Sequence, residues 1–203
     1  MLKKLEFLLQ VLYQELLHLS MKLNVMELNK HIFLIGFMGC GKSANARYLS
    51  KMTGAHQMEM DQKLSKDQGM AITEIFSKFG EQHFRDLETE LIRSMKDKEP
   101  MVVSCGGGAV LREENVAMMK SCGTIVLLTA TPEAIYDRVK HSTDRPILNG
   151  NMNVEYISEL MEKRRPKYEA AADIVISTDM KNVREICEEI LAKLQRRYSR
   201  YEA

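Results

Sequence analysis

The sequence predicts an α/β protein built on a doubly wound, five-stranded parallel sheet with helices on both faces. From residue 31 onward, short apolar runs alternate with segments of helical period, which is the pattern of a parallel sheet covered on both sides. The first apolar run, HIFLI, leads directly into the glycine-rich stretch GFMGCGKS and then into a helical pattern. The chain has 203 residues, of which 45% are hydrophobic, and this suits one compact core.

The predicted strands and helices follow this alternation along the chain. The strands are residues 31–35, 57–60, 101–104, 124–129 and 173–177. The helical segments are residues 42–52, a broken stretch at 72–96, then 113–120, 132–140, 154–168 and 181–197. Residues 141–153, HSTDRPILNGNMN, are polar and rich in turn formers, and they predict a mobile loop.

Residues 1–29 predict a helical extension that precedes the main domain at residues 30–203. Leucines recur there at alternating spacings of three and four, at Leu2, Leu5, Leu9, Leu12, Leu16, Leu19 and Leu23. This spacing is typical of the a and d positions of a coiled coil. It is compatible with a helix folded onto its own domain, with self-association, and with a loose or mis-started extension.

Composition and charge exclude several classes of protein. Lys and Arg number 29 against 28 for Asp and Glu, so the net charge of +1 provides no general attraction for nucleic acid. Polar residues interrupt the leucine-rich start, so no apolar run reaches the ~18 residues of a membrane span. The 4 cysteines form no CxxC pair or metal-ligand spacing, which favours reduced thiols in a cytoplasmic protein.

The stretch GFMGCGKS matches the pattern G-x-x-x-x-G-K-[ST] and predicts a phosphate cradle. Its glycines let backbone N–H groups turn toward a phosphate at the start of a helix, where negative charge is favoured. Lys42 then reaches the β- and γ-phosphates, and the Ser43 hydroxyl is a ligand for Mg²⁺. The predicted nucleotide-binding residues of this segment are Gly39, Cys40, Gly41, Lys42, Ser43 and Ala44.

Two further stretches follow predicted strands and indicate where a phosphate acceptor binds. Open α/β sheets bind ligands beyond the carboxyl ends of their strands. After the second strand, the sequence EMD places Glu59 and Asp61 two residues apart, so that in extended chain both carboxylates face one side. After the third strand, Gly106, Gly107 and Gly108 form a backbone without side chains that lets a ring-shaped ligand come close.

Three arginines predict an anion-binding cleft around these stretches. Arg85, in GEQHFRDLE, has Glu88 three residues later on the same helical face, where it can hold the guanidinium. Arg145 lies in the polar loop, in DRPIL, and Arg164 lies in KRRPKY near the end of a helix.

With these motifs in place, the chain closely resembles shikimate kinases. The resemblance covers residues 30–194 and rests on GFMGCGKS, EMD, GEQHFR, GGGAV, DRP and RRPKY, which occur in the order typical of the family. It implies a P-loop NTPase fold like that of nucleoside monophosphate kinases, with a mobile lid at residues 141–153. It also implies transfer of phosphate from ATP with Mg²⁺ to the 3-hydroxyl of shikimate, in chorismate and aromatic amino acid biosynthesis.

The resemblance also implies a role for each matching residue. The catalytic residues would be Lys42, Asp61 and Arg145: Asp61 would hold the acceptor hydroxyl and take its proton, and Arg145 would reach the transferring phosphate. Arg85 and Arg164 would clamp the substrate carboxylate, while the glycines at 106–108 would lie along the ring.

Two further assignments follow from the same resemblance. Arg138 would lie beside the adenine of ATP. Glu59 stands where the family usually has the first aspartate of D-x-D, and it would contact Mg²⁺ through water.

Alternative functions each leave some residues unexplained. Another small-molecule kinase of this fold, such as a gluconate kinase, would not account for the three glycines and Arg85. A nucleotide-binding regulator without transfer chemistry would not need Lys42, Ser43, Asp61 and Arg145 together. The run KRRPKY has no aromatic platform for nucleic acid beside it. We therefore expect shikimate and ATP as ligands of a monomer, no nucleic acid partner, and self-association only through the leucines at 2–23.

Overall fold

The computed structural model describes residues 28–140 and 153–199, and it confirms the predicted parallel sheet. The five strands are β1 (His31–Ile35), β2 (His56–Glu59), β3 (Met101–Ser104), β4 (Gly123–Thr129) and β5 (Ile174–Ser177). They pair in parallel in the order β2-β3-β1-β4-β5. The first strand is therefore the centre of the sheet, and the two strands on one side of it are β3 and β2.

In the part of the chain that the structure describes, seven α-helices connect and flank these strands. They are α1 (Lys42–Thr53), α2 (Met60–Gln68), α3 (Ile72–Arg93), α4 (Glu113–Cys122), α5 (Pro132–Val139), α6 (Val154–Ala171) and α7 (Val183–Ser199). A short 3-10 helix, Ala109–Leu111, precedes α4. Within the described residues, no helix combines the length and apolarity needed to cross a bilayer.

The alternation of side chains along β1 shows why helices cover both faces. Ile32 and Leu34 pack in a cluster with α1, α5 and α7, while Phe33 and Ile35 pack in a second cluster with α2, α3 and α4. All four side chains are buried, because successive residues of a strand point to opposite faces and each face has its own layer. The sheet is thus the middle layer of three.

The carboxyl ends of three neighbouring strands bring the predicted site segments together. β1 leads into the glycine-rich loop at 36–41, β2 ends at Glu59, and β3 leads into Cys105 and the glycines at 106–108. Because β2, β3 and β1 are adjacent, these segments lie at one edge of the sheet.

The expectation of extended chain through residues 59–61 is wrong, because α2 begins at Met60. Glu59 ends β2 and precedes the helix, whereas Asp61 lies in the first helical turn, where the helix dipole favours a carboxylate. Met60 and Leu64 form the buried side of α2, and Gly69 ends it in a left-handed conformation. The two carboxylates are therefore separated by a strand-to-helix junction and do not share one face of a strand.

The predicted break in the long helical stretch is confirmed at Gly80. This residue has φ 81° and ψ 171°, so α3 consists of two helical pieces that meet there. The second piece carries Phe84, Arg85 and Glu88 on its buried side. The break therefore lets this piece turn toward the glycines that follow β3.

Two predicted features fall largely outside the described residues. The predicted extension at 1–29 is described only at Leu28 and Asn29, and the predicted lid at 141–153 is described only at Asn153. The side chain of Asn153 accepts a hydrogen bond from the Tyr156 N–H (2.8 Å) and so caps α6.

Candidate active site

The loop between β1 and α1 has the backbone shape of a phosphate cradle. Gly39 and Gly41 have φ values of 79° and 92°, and α1 begins immediately afterwards at Lys42. The first N–H groups of a helix have no partner within it, so they favour an anion at this position. Lys42 Nζ donates to the carbonyl oxygens of Gly36 (2.9 Å) and Phe37 (3.1 Å), which places the ammonium group inside the loop.

Residues within the predicted cradle differ in their exposure to solvent. Cys40 is buried and packs in the core, whereas Ala44 is exposed on the first turn of α1. Asn45 is buried, and its Nδ2 donates to the carbonyl oxygen of Gly41 (2.9 Å). Asn45 therefore fixes the end of the loop from within α1.

Oxygen atoms from three segments meet beside Ser43. Its Oγ donates to Glu59 Oε2 (3.0 Å) and lies 3.5 Å from Ser104 Oγ. Gln57 Nε2 donates to the other carboxylate oxygen of Glu59 (2.7 Å), which holds that side chain in place. Hydroxyl and carboxylate oxygens are the ligands that Mg²⁺ prefers. Ser43 and Glu59 therefore supply the type of oxygen ligand that suits Mg²⁺. Among the described residues, no group of three or more His, Cys, Asp and Glu side chains could hold a metal ion.

Arg85 is buried and anchored between two carboxylates of α3. Its Nη1 donates to Glu88 Oε2 (2.6 Å), and its Nη2 donates to Glu81 Oε1 (2.8 Å). Burial opposes the charged guanidinium, but Glu88 and Glu81 raise the pKa of Arg85 above its usual value. The guanidinium also lies 5.4 Å from the ring centre of Phe84 and 6.0 Å from that of Phe76. These contacts fix a cation at one position.

Glu88 is the buried partner of this cation and lies close to Asp61. Its side chain is fully buried, and burial raises its pKa despite the opposing effect of Arg85. Its Oε1 has no hydrogen-bond partner among the described residues. A Cβ atom built at Gly106 would lie 2.5 Å from this Oε1 and 2.9 Å from Asp61 Oδ1, so both carboxyl groups face the same backbone.

The glycine segment at 106–108 packs against these charged groups with no room for side chains at two positions. A Cβ atom at Gly108 would fall onto the guanidinium of Arg85, just as one at Gly106 would collide with Glu88. At Gly107 the nearest atoms to such a Cβ are Tyr168 Oη (3.8 Å) and Arg164 Nη1 (3.9 Å), which is ordinary contact. The segment therefore brings Asp61, Arg85 and Arg164 around one stretch of backbone.

The helix α6 contributes Arg164 to this region, while its neighbour points elsewhere. Arg164 is half-buried and approaches Gly107, whereas Arg165 is exposed and pairs with Glu162. The helix continues past the predicted end at residue 168 to Ala171, and it carries Pro166 in its interior. Tyr168, one turn after Arg164, donates its hydroxyl hydrogen to the carbonyl oxygen of Gly107 (2.5 Å).

Arg138 lies on the other side of the phosphate cradle. Its Nη1 donates to the carbonyl oxygen of Gly39 (3.2 Å) and to Thr178 Oγ1 (3.1 Å). It therefore connects α5, the glycine-rich loop and the segment after β5. Arg145 belongs to residues 141–152, which lie outside the described part of the chain.

Comparison with known proteins decides which family this arrangement represents. The family model described as shikimate kinase matches residues 38–195. A shikimate kinase from Thermodesulfovibrio yellowstonii is 42% identical over 167 residues, which are 82% of this chain and 96% of that protein. Another from Geobacter metallireducens is 40% identical over 83% of this chain and 93% of its own length. The chain belongs to the shikimate kinase family.

Solved structures agree with this family membership. Shikimate kinase from Acinetobacter baumannii in complex with shikimate superposes with a TM-score of 0.79 at 27% identity, covering 87% of this chain and 98% of that one. Shikimate kinase from Aquifex aeolicus has a TM-score of 0.70 at 37% identity, covering 81% and 96%. A gluconokinase from Sinorhizobium meliloti is only 19% identical at a TM-score of 0.60, with coverage of 87% and 98%, so it shares the fold alone. The predicted P-loop NTPase fold of shikimate kinases is thus confirmed.

Several residues that contact this candidate site were not predicted from the sequence. They are Asn45, Gln57, Glu81, Ser104, Tyr168 and Thr178. The contacts of Asn45, Gln57 and Glu81 are with partners two or four residues away. Ser104, Tyr168 and Thr178 contact segments 61, 61 and 40 residues away, and no local pattern marks such contacts. Tyr168 is an exception, because its spacing of four from Arg164 places both side chains on one helical face.

Proposed function

We propose that this shikimate kinase transfers the γ-phosphoryl group of ATP to the 3-hydroxyl of shikimate through the residues placed at the carboxyl edge of β2, β3 and β1. One observation carries the proposal. Arg85, which Glu88 holds in place, lies against the glycine segment at 106–108, and Asp61 faces the same segment. A guanidinium held in one orientation matches the two oxygens of a carboxylate. Arg85 and Arg164 then hold the carboxylate of shikimate, and Gly106, Gly107 and Gly108 lie along its ring.

Asp61 is proposed to receive the proton of the acceptor hydroxyl. It lies in the first turn of α2, exposed to the site, and faces the same backbone as Glu88. A carboxylate there orients the hydroxyl for attack and accepts its proton as the new bond forms. Phosphoryl transfer needs little covalent chemistry from the protein, so positioning of this kind accounts for much of the rate.

The nucleotide is proposed to bind through the loop that precedes α1. Backbone N–H groups from Gly39 to Ala44, together with Lys42, bind its phosphates. Ser43 would hold Mg²⁺ directly and Glu59 through water, and the ion would neutralise charge on the β- and γ-phosphates. Arg138 would lie beside the adenine. Arg145, in the segment predicted as a lid, would contact the transferring phosphoryl group as water is excluded.

We also propose a monomeric cytoplasmic enzyme that takes no nucleic acid partner. The near balance of 29 basic and 28 acidic residues and the dispersed cysteines support this setting. Within the described residues all four cysteines are free thiols, and three of them are buried. The leucine-rich extension is the segment through which copies of the chain would associate.

Acceptor-dependent ATP turnover tests the proposed function. Purified protein with ATP and Mg²⁺ is expected to release ADP rapidly with shikimate and at background rates with gluconate or without an acceptor. Chelation of Mg²⁺ is expected to remove the shikimate-dependent rate. Analysis of the product should locate the phosphate on the 3-hydroxyl. ADP release that does not increase with shikimate at saturating Mg²⁺ would contradict the proposal.

The glycine segment provides a second test through Gly108→Ala. The added methyl group would fall onto the guanidinium of Arg85, which Glu88 and Glu81 hold from the other side. We expect the KM for shikimate to rise about tenfold or more, since a displacement of the clamp costs at least ~1.4 kcal/mol of binding. The KM for ATP should stay near its original value.

Gly107→Ala is the matched comparison, because a Cβ atom there meets its neighbours at 3.8 Å and 3.9 Å. Its effect on the KM for shikimate is expected to be smaller than that of Gly108→Ala. Equal effects of the two substitutions would show that crowding of Arg85 is not the cause.

A further inference from the structure

Arg164 and Arg85 are held in different ways, although both are proposed to bind the same carboxylate. Arg85 donates to two carboxylates of its own helix. Within the described residues, Arg164 forms no ion pair with a carboxylate, while its neighbour Arg165 pairs with Glu162. Among the residues that the structure describes, the guanidinium of Arg164 therefore has no carboxylate partner, and the side chain of Tyr168 is its hydrogen-bonding neighbour.

Tyr168 is placed to orient Arg164, because it lies one helical turn after Arg164 on α6. Its ring is buried, with 5% of the residue exposed, and it packs in the core cluster that contains Phe33 and Ile35. Its hydroxyl points out of that cluster and donates to the carbonyl oxygen of Gly107 (2.5 Å). The ring thus anchors the side chain, and the hydroxyl reaches the glycine segment.

The hydroxyl and the guanidinium approach the same residue of the glycine segment. Tyr168 Oη and Arg164 Nη1 lie 3.8 Å and 3.9 Å from the position of a Cβ atom at Gly107. Unlike Gly106 and Gly108, Gly107 has room for a methyl group. What holds Gly107 in place is the hydrogen bond that its carbonyl oxygen accepts from Tyr168.

The phenol is also suited to this role because it stays neutral. Burial raises the pKa of Tyr168 to about 12, while the charge and hydrogen bonding of Arg164 act in the opposite direction. A neutral hydroxyl orients a neighbouring cation and leaves its charge in place. A carboxylate in the same position would orient the cation but cancel its charge.

We propose that Tyr168 is a positioning residue that joins Gly107 to Arg164, so that the glycine segment and the guanidinium meet the acceptor carboxylate in one fixed arrangement. This inference rests on the proposed function, in which Arg164 binds the carboxylate of shikimate. The hydroxyl itself acts through Arg164 and Gly107 and not on the reacting atoms.

Tyr168→Phe tests the inference, since it removes the hydroxyl and leaves the buried ring. We expect the KM for shikimate to rise about tenfold, because the loss of one hydrogen bond to a charged group weakens binding by about this factor. The kcat should change less than about threefold. The KM for ATP should not change. Direct titration of shikimate into the protein should show the same loss of affinity.

A double-mutant cycle separates positioning from general support of the fold. The effect of Tyr168→Phe on the KM for shikimate is expected to disappear when Arg164 is already Ala, because the hydroxyl then has no guanidinium to orient. The matched control is Tyr198→Phe, which removes a hydroxyl that lies 3.1 Å from Thr124 Oγ1 at the opposite edge of the sheet. It should leave the KM for shikimate unchanged, and thermal unfolding of all variants shows that they remain folded.

Two results would overturn the inference: an unchanged KM for shikimate in Tyr168→Phe, or a rise of the same size in the presence and absence of Arg164. Failure of the proposed function is distinguishable, because the wild-type protein itself would then show no shikimate-dependent turnover.

Discussion

Asp61→Asn is expected to lower kcat by about 10²–10⁴-fold, because an amide cannot accept the proton of the acceptor hydroxyl. The substitution keeps the size of the side chain and its place in the first turn of α2. The KM for shikimate should therefore change only a few fold. Steady-state kinetics with varied shikimate at saturating ATP measures both constants.

Asp67→Asn is the matched control for this variant. Asp67 is also exposed on α2, but it lies two turns further along the helix and pairs with Lys63. Its replacement should leave kcat within about twofold, since exposed ion pairs contribute little. A kcat for Asp61→Asn close to that of Asp67→Asn would remove Asp61 from the proposed proton transfer.

Arg85→Ala is expected to affect both stability and substrate binding. Only 10% of the Arg85 side chain is exposed and Glu88 is fully buried, so the substitution leaves a buried carboxyl group without its cation. Loss of one partner of a buried pair costs about 3–5 kcal/mol of unfolding free energy. The KM for shikimate should rise strongly because half of the carboxylate clamp is absent.

The loss of stability in Arg85→Ala should depend on pH in a defined direction. Burial already raises the pKa of Glu88, and Arg85 opposes that rise, so its removal raises the pKa further. A carboxyl whose pKa is raised by folding destabilises the protein as pH rises from its unfolded value through its folded value. The destabilisation should therefore be smaller at about pH 5 than at about pH 8. Denaturant unfolding at both pH values measures it.

Two further variants separate the effect of Arg85→Ala on the free energy of unfolding from its effect on shikimate binding. Arg85→Met with Glu88→Gln removes both charges and should recover part of the lost stability without recovering the low KM for shikimate. Arg93→Ala, on the same helix, removes an exposed arginine that lies 3.7 Å from Glu90 and should change neither quantity. Recovery of shikimate binding in the uncharged pair would contradict the proposed role of Arg85.

The fold was predictable because burial on both faces produces continuous apolar strands. The predicted boundaries of β1 and β3 match the structure, β4 and β5 differ by one residue at their first position, and β2 is shifted by one residue at both ends. The helix α2 was missed because only Met60 and Leu64 of its sequence MDQKLSKDQ are buried. Two apolar residues four apart make too weak a periodic pattern to predict a helix.

The grouping of the candidate site residues was predictable where these residues follow strands. The glycine-rich loop, Asp61 and the glycines at 106–108 all come directly after strands that are neighbours in the sheet. The pairing of Arg85 with Glu88 was also predictable, from their helical spacing. Contacts between distant segments were not, such as the hydrogen bond from Tyr168 to Gly107 across 61 residues of chain. Nothing in the local sequence specifies how α6 approaches β3.

The left-handed Gly80 divides α3 into two separately oriented helical pieces, of which the second carries Arg85 of the proposed acceptor site. Phe76 belongs to the helical piece before this glycine and Arg85 to the piece after it, yet both meet across the break. Apart from the backbone next to Gly80, no atom of the described residues lies within 4 Å of the place where a side chain there would begin, so the positive φ is what favours glycine. We therefore expect a change confined to this bend to shift Arg85 relative to Phe76, and with it the proposed contact of Arg85 with the acceptor carboxylate, while the glycine-rich loop at 36–41 stays as it is.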